Sequence, residues 1–366
     1  MCLLYNDGTT IVKPKGIMSK QQPKKQRFYQ KKSFLITIGS IVVVILLVLL
    51  AFRVSPAPGA WLIRSVFNRN NQKVLAALEK HHPSVAVDSL LNEQYRKHDS
   101  DAKLDVYYPA STPKDAKLPT IIWTHGGAWL SGDKANDAPY FKLLAAEGFT
   151  VIALDYSLAP EHQYPTPVHQ LNDAYAYIQK NTLRFHVDTN KFILAGDSAG
   201  AQLSSQMGAI ITNPDYARTV GVTPTLKPSQ LKGLVLNCGI YMMDGLTEPN
   251  PTLPKMIGWG DDISVWAYSG TKDFSDPVIK QMSAYYHVDK NYPPVYITGG
   301  NADPLTNAQA KPFADLLESV GVSVTRNFFA DDHKPALPHE YQFNLDNQDG
   351  VAAFQKTIEF AKARTQ

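Results

Sequence analysis

A serine between two glycines follows an apolar run in the stretch KFILAGDSAG, residues 191–200. The pattern Gly196-x-Ser198-x-Gly200, placed between a predicted strand and a predicted helix, is typical of a nucleophile elbow, where a sharp turn presents the serine hydroxyl. The glycines leave space at the point where strand and helix cross, because a Cβ atom there would clash. A tight turn without chemistry is the alternative, but the flanking elements favour Ser198 as a nucleophile that attacks an acyl carbonyl.

An acyl-transfer site also needs donors for the oxyanion of its transition state. The segment THGGAW, residues 124–129, follows another predicted strand, and its two glycines allow backbone N–H groups to turn toward a carbonyl oxygen. We therefore predict an oxyanion hole from the N–H groups of Gly126, Gly127 and Ala199. His125 lies in the loop that shapes this hole, and we expect it to brace the loop by hydrogen bonding.

Both motifs follow strands of a repeating pattern in the body of the chain. From about residue 92, short apolar runs rich in β-branched residues alternate with amphipathic segments. This alternation predicts an α/β fold with a mostly parallel central sheet flanked by helices. Ligands of such sheets bind beyond the carboxyl ends of the strands, where Ser198 is expected. Residues 241–286 break the alternation and are predicted to be an insertion.

Three motifs together resemble the hormone-sensitive-lipase-like branch of the α/β-hydrolases. They are HGGAW at 125–129, DYSLAPEHQYP at 155–165 and GDSAGA at 196–201, and the resemblance extends over roughly residues 90–365. It implies the α/β-hydrolase fold and a serine carboxylic-ester hydrolase with a Ser-His-Asp triad and no cofactor. It also implies a helical cap, built here from residues 58–90 and 240–290.

The resemblance further implies the chain order nucleophile, acid, histidine, which points to Asp303 in TGGNADPL as the acid that orients the imidazole. Two histidines follow the last predicted strand, His333 in DDHKP and His339 in LPHEYQF. The family pattern of a histidine with a phenylalanine shortly after it favours His339, although Glu340 stands where the family usually has glycine. Two aspartates beside His333 would hold it charged and solvated, which is unfavourable for a general base, so His333 is kept only as the alternative.

The amino-terminal region contains an uncharged run, FLITIGSIVVVILLVLLAF at 34–52. Its length suits a helix that crosses a hydrocarbon core of ~30 Å. Eight basic residues and one acid precede it, so this tail carries +7 and the remainder −4 of the net charge of +3. The positive-inside rule then predicts a cytoplasmic amino terminus and an extracellular body. A cleaved signal peptide and a secreted body are the alternative, which the prolines of residues 55–60 disfavour.

The mildly acidic body disfavours nucleic-acid binding. Cys2 and Cys238 lie on opposite sides of the apolar run, so we expect no disulfide. Translation is expected to start at Met1 or at Met18.

The predicted organisation is a basic cytoplasmic tail at 1–33, a transmembrane signal anchor at 34–52, a linker and helical cap or packing segment at 53–90, and a catalytic α/β-hydrolase domain at 91–366 with a cap insertion at 240–290.

We expect a membrane-anchored serine carboxylesterase that hydrolyses small-molecule esters with short to medium acyl chains. The sequence has neither metal-ligand spacing nor a phosphate loop nor a dinucleotide fingerprint, so no metal or cofactor is predicted. An amidase or peptidase on the same scaffold and a non-catalytic surface binding protein are the alternatives. The natural ester and the oligomeric state stay open. An apolar cap lining is expected from Tyr241, Met242, Met243, Trp259 and Trp266, with packing inside the cap as the alternative.

Overall fold

The computed structural model describes residues 24–247 and 254–366, with side chains from residue 29 onward. Most of the predicted tail, Cys2 and both candidate start sites therefore lie outside the described residues. The chain forms two units, one ending at Val54 and one beginning at Ser55, and each is described by itself.

The first unit is described as one helix, α1 (Lys24–Val54), which contains the predicted span at 34–52. Its part from Tyr29 to Val54 is long and apolar enough to cross a membrane, by length and composition alone. The large side chains along this part are exposed in the isolated chain, unlike those of a core helix.

An eight-stranded sheet forms the centre of the second unit, in the order β1-β2-β4-β3-β5-β6-β7-β8. The strand β2 pairs antiparallel with β1 and β4, and the remaining neighbours are parallel, which confirms the predicted mostly parallel sheet. The strands are β1 (Val87–Gln94), β2 (Lys103–Pro109), β3 (Leu118–Thr124), β4 (Thr150–Leu154), β5 (Val187–Asp197), β6 (Leu231–Asn237), β7 (Val295–Gly299) and β8 (Val324–Phe328).

Helices cover both faces of this sheet. Successive residues of β5 show why: Phe192 and Leu194 join one apolar core, while Ile193 and Ala195 join a second core on the opposite face. The helices of the second unit are α2 (Ala57–Leu78), α3 (Ala138–Ala146), α4 (Thr166–Lys180), α5 (Ser198–Thr212), α6 (Pro214–Val220), α7 (Met243–Thr247), α8 (Lys255–Ser269), α9 (Pro277–Gln281), α10 (Lys311–Ser319) and α11 (Gln348–Thr365).

Two segments that interrupt the sequence pattern are helical. The first is α2, which is held to the body by Arg64: its guanidinium donates to both carboxylate oxygens of Glu161 and to the carbonyl of Ala159. The second contains α7, α8 and α9, and α8 packs against α2. The strand β1 begins at Val87, before the expected domain boundary at residue 91.

The expected apolar cap lining needs correction. Tyr241 and Met243 are completely buried, and the Tyr241 ring stacks on Phe313 with centroids 4.3 Å apart. These side chains therefore belong to the core, because apolar composition alone does not distinguish a packed side chain from one that faces a cavity.

Candidate active site

Ser198 lies where β5 ends and α5 begins, at a φ of +49° that non-glycine residues seldom adopt. The two neighbouring glycines are required by close backbone approaches. A Cβ atom on Gly200 would lie 2.0 Å from the carbonyl oxygen of Thr124, and one on Gly196 would lie 2.5 Å from the backbone of Gly200. The strained turn thus presents the serine at the carboxyl edge of the sheet.

The residue before this serine ties the elbow to the glycine loop. Asp197 accepts a hydrogen bond from Trp123 Nε1 at 2.8 Å through one carboxylate oxygen and from the Gly126 N–H at 2.8 Å through the other. A Cβ atom on Gly126 would lie 2.3 Å from that second oxygen, so glycine is needed there. The expected role of the Gly126 N–H as an oxyanion donor is therefore corrected, because Asp197 already accepts its hydrogen.

The other expected donors lie in different surroundings. Gly127 has a φ of +107° and its carbonyl accepts hydrogen bonds from the backbone of Leu130 and Ser131, which curls the loop. Ala128 also has a positive φ, +53°. Within the described chain, neither the Gly127 nor the Ala128 N–H has a hydrogen-bond acceptor. Ala199 is in the first turn of α5, where backbone N–H groups are free of helical partners.

His125 braces the same loop. Its Nδ1 lies 2.7 Å from the carbonyl oxygen of Gly126, and its ring stacks on Tyr156 with centroids 4.4 Å apart. Burial lowers the pKa of His125, which favours a neutral imidazole that donates from Nδ1. The hydrogen bond expected from the sequence is present.

The motif around Asp155 and Glu161 is structural. Asp155 accepts a hydrogen bond from the backbone N–H of Lys134 at 2.6 Å and lies 3.5 Å from the Lys134 ammonium, while Glu161 is paired with Arg64. They line a polar groove of about 580 Å³ that is separate from the cavity of Ser198.

The histidine and acid expected from the sequence meet beyond the ends of β7 and β8. His339 Nδ1 lies 2.8 Å from Asp303 Oδ2, and the other oxygen of Asp303 accepts the backbone N–H of Leu305 at 2.9 Å. The other candidate, His333, contacts a different acid: its Nε2 atom is 2.9 Å from Asp349 Oδ2. The structure thus brings His339, rather than His333, to the expected acid.

The charges around His339 favour its imidazolium form. Burial acts against that form, but Asp303, followed by Glu340 and Asp197, outweighs it and raises the pKa of His339 to about 9. Asp303 is in contact with Nδ1, whereas Glu340 Oε1 lies 3.8 Å from Nε2, on the side of the ring that faces away from Asp303.

A cavity of about 150 Å³ collects most of these groups. Ser198, His339, Gly126 and Gly127 line it, whereas Asp303 lies behind His339. The remaining lining residues are Phe67, Asn70, Asn71, Val74, His125, Asn136, Asp137, Asp197 and Glu340.

Several of these lining residues were not identified from the sequence. The pair Asn70 and Asn71 interrupts the helical pattern between two apolar residues of α2, and that interruption was a usable signal. Glu340 differs from the glycine usual in the family pattern. Asp137 carries no sequence signal, because its burial results from packing of distant segments.

One group of three potential metal ligands occurs among the described residues. Cys238 Sγ, a carboxylate oxygen of Asp303 and a ring nitrogen of His339 lie within 4.8 Å of one another. Burial raises the pKa of the Cys238 thiol, which opposes the thiolate form that binds metals. The prediction that the protein uses no metal or cofactor stays a prediction.

Comparisons with known proteins identify the family and the fold. The BD-FAE family model matches residues 104–317, more than half of the chain. Esterase LipC of Mycobacterium tuberculosis is 28% identical over 223 residues, which are 60% of this chain and 53% of LipC. Carboxylesterase NlhH of the same species is 27% identical over 250 residues, 66% of this chain and 72% of NlhH. The chain thus spans about half of the length of LipC.

Solved structures share the fold. Esterase B from Lactobacillus rhamnosis has a TM-score of 0.70 at 18% identity, over 83% of this chain and 94% of that one. The Pyrobaculum calidifontis esterase has a TM-score of 0.63 at 21% identity, over 83% and 92% of the two chains. These likenesses confirm the predicted α/β-hydrolase fold. The chain therefore belongs to the BD-FAE family and has the α/β-hydrolase fold.

Proposed function

We propose that the protein is a membrane-anchored carboxylesterase in which Ser198, His339 and Asp303 form the catalytic triad. The observation that carries the proposal is the 2.8 Å contact between His339 Nδ1 and Asp303 Oδ2, in a cavity that Ser198 also lines. With Nδ1 held by the carboxylate, Nε2 is the nitrogen available to take a proton from the serine.

In this mechanism Ser198 Oγ attacks the ester carbonyl carbon while its proton moves to His339 Nε2. The tetrahedral intermediate collapses when His339 returns that proton to the leaving alcohol, and an acyl-serine remains. Water then attacks the acyl carbon, His339 takes its proton, and the carboxylic acid leaves as Ser198 regains a hydrogen. Asp303 stabilises the imidazolium in both halves.

The oxyanion is assigned to the N–H groups of Gly127 and Ala199, together with that of Ala128 in place of Gly126. The Gly126 N–H donates a hydrogen bond to Asp197 at 2.8 Å, whereas the N–H groups of Gly127 and Ala128 have no acceptor within the described chain. Donors that already point at the developing charge stabilise it without reorganisation.

The substrates are assigned to the short end of the predicted acyl range. The cavity of about 150 Å³ corresponds to roughly five water molecules at ~30 Å³ each. The relatives named esterase and carboxylesterase support ester cleavage over the amidase or peptidase alternative.

Residues 34–52 are proposed as an uncleaved signal anchor, with residues 1–33 in the cytoplasm and the catalytic domain, residues 91–366 with the 240–290 cap insertion, outside the cell. Residues 53–90 provide the linker and part of the cap. Support comes from the apolar helix α1 and the basic residues that precede it. Protease added to intact cells should degrade the catalytic domain, and a domain that resists this treatment until the cells are lysed would contradict the orientation.

A fluorophosphonate probe tests the chemistry directly, because it reacts with activated serines. The detergent-solubilised full chain is compared with Ser198→Ala and with Ser111→Ala, which alters an exposed serine. We expect labelling and hydrolysis of nitrophenyl acetate in the wild type and in Ser111→Ala, and a loss of at least ~10³-fold in kcat in Ser198→Ala. Labelling that persists in Ser198→Ala would contradict the assignment, and an unlabelled wild type would favour a binding protein.

A further inference from the structure

The cavity of Ser198 has an excess of acidic groups. Asp137, Asp197 and Glu340 line it, and the lining residues of this cavity in the described chain include neither lysine nor arginine. Acidic clusters are common on protein surfaces, where water solvates them. Here the carboxyl groups lie in the wall of a small cavity, beside the proposed nucleophile and base.

Asp137 carries the argument, because it is buried without a partner. Its exposure is 8%, and it immediately precedes α3 without capping the N–H groups of that helix. Its carboxyl group forms no hydrogen bond or ion pair with any residue that the structure describes. Burial, followed by the charge of Glu340, raises the pKa of Asp137 to about 8. A buried carboxyl group without a partner is stabilised when a ligand supplies a positive charge or a hydrogen-bond donor.

The neighbouring acids add further carboxyl groups to the same wall. Both oxygens of Asp197 accept N–H hydrogen bonds, which favour its carboxylate, but burial, followed by the charges of Glu340 and Asp137, outweighs them and raises the pKa of Asp197. The nearest basic group to Glu340 is the ring of His339, with Nε2 3.8 Å from Oε1. Asp261 on α8 is also close to His339. Burial raises the pKa of Asp261, and the charge of His339 lowers it by a smaller amount.

A neutral polyhydroxylated ester is the main competing substrate class, since the amides of Asn70, Asn71 and Asn136 also line the cavity. Hydroxyl groups would satisfy these amides, but they would supply no positive charge opposite Asp137 and Glu340. A cation would compensate both carboxylates and leave the amides to orient the rest of the ligand.

We infer that the site accepts esters that carry a protonated amine or a quaternary ammonium group, with the cation held by Asp137 and Glu340 while the ester carbonyl lies at Ser198. The inference rests on the proposed function, because it names the substrate class of the same site. The small cavity restricts it to esters in which only a few atoms separate the cation from the carbonyl.

The test compares acetylcholine with its neutral isostere 3,3-dimethylbutyl acetate, at about pH 8.5 so that most carboxyl groups are ionised. For the full chain in detergent we expect kcat/KM to favour acetylcholine by at least about tenfold, a factor that the attraction between a quaternary ammonium and a partly shielded carboxylate can supply without a hydrogen bond. Asp137→Asn and Glu340→Gln should each move this ratio toward one. Asp332→Asn, which removes an exposed carboxylate outside the cavity, should keep the wild-type ratio.

The outcomes separate the two proposals. A wild type that reacts with fluorophosphonate but shows a ratio near one overturns the cation inference and leaves the esterase proposal intact. A ratio that favours acetylcholine equally in both cavity variants also overturns it, as does faster hydrolysis of an acetylated methyl glucoside. An unlabelled wild type counts against the esterase proposal itself. If circular dichroism shows that Asp137→Asn is unfolded, Glu340→Gln decides.

Discussion

Glu340 provides a sharp test of how the charges around His339 control catalysis. In the proposed mechanism His339 acts as a base only when its Nε2 is unprotonated, so a raised pKa would confine activity to alkaline solution. With a pKa of about 9 for His339, kcat/KM for a neutral ester such as nitrophenyl acetate should increase as the pH rises through this value. An ordinary histidine of pKa ~6.5 would give full activity at neutral pH.

Four carboxyl groups face this ring: Asp303 at Nδ1, Glu340 at Nε2, Asp197 nearby and Asp261 from α8. Glu340→Gln removes one charge and conserves the shape of the side chain. The two groups lie 3.8 Å apart. Even at the dielectric constant of water, unit charges at this distance interact by ~1 kcal/mol, and at an effective constant of ~20 by ~4 kcal/mol.

Since one pKa unit corresponds to ~1.36 kcal/mol, the variant should move the alkaline profile to lower pH by at least ~0.8 unit. The sign follows from the charge: loss of an adjacent anion destabilises the imidazolium, so the free base persists to lower pH. Both side chains are partly exposed, which places the shift toward the lower end of the calculated range.

The assay records kcat/KM for nitrophenyl acetate between about pH 6 and pH 10, where most histidine titrations fall. Glu318→Gln is the matched control, because Glu318 pairs with Arg326 far from the cavity, and its profile should coincide with that of the wild type. A wild-type midpoint near pH 6.5, or identical midpoints in wild type and Glu340→Gln, would refute the reasoning.

Two further substitutions test the geometry. Gly126→Ala places a Cβ atom 2.3 Å from a carboxylate oxygen of Asp197, so we expect a loss in kcat of at least ~10-fold. Gly258→Ala, with no atom within 4 Å of its Cβ, should retain full activity, and equal kinetics in both variants would contradict the importance of the hydrogen bond from Gly126 to Asp197. His339→Asn should lose at least ~10³-fold in kcat and His333→Asn should retain turnover, and the reverse order in steady-state kinetics would transfer the role of base to His333.

Local sequence patterns predicted the parts of the site that depend on backbone conformation. The elbow at Ser198 and the glycine loop each need glycines at fixed spacing, and those spacings are visible in the chain. The hydrogen bond from Gly126 to Asp197 was not predicted, because it arises only when β3 and β5 pair in parallel with Thr124 beside Gly196. That register places the loop and the residue before the nucleophile in contact.

The cavity lining depended even more on tertiary packing. Tyr241 and Met243 were expected to face substrate, but they pack in the core, whereas polar residues of α2 and the buried Asp137 took that place. A sequence pattern indicates how apolar a segment is and which faces of a helix differ. It does not indicate which neighbouring segment will cover each face.

In the proposed membrane-anchored arrangement, the position of α2 restricts how an active enzyme could be released. This helix begins at Ala57, and Ser55 and Pro56 alone separate it from α1. Phe67, Asn70, Asn71 and Val74 of α2 form part of the cavity wall, so a protease that cut the helix beyond Phe67 would separate part of this wall from the rest of the second unit. For the proposed anchored protein, release with the whole cavity wall intact therefore requires a cut before Phe67.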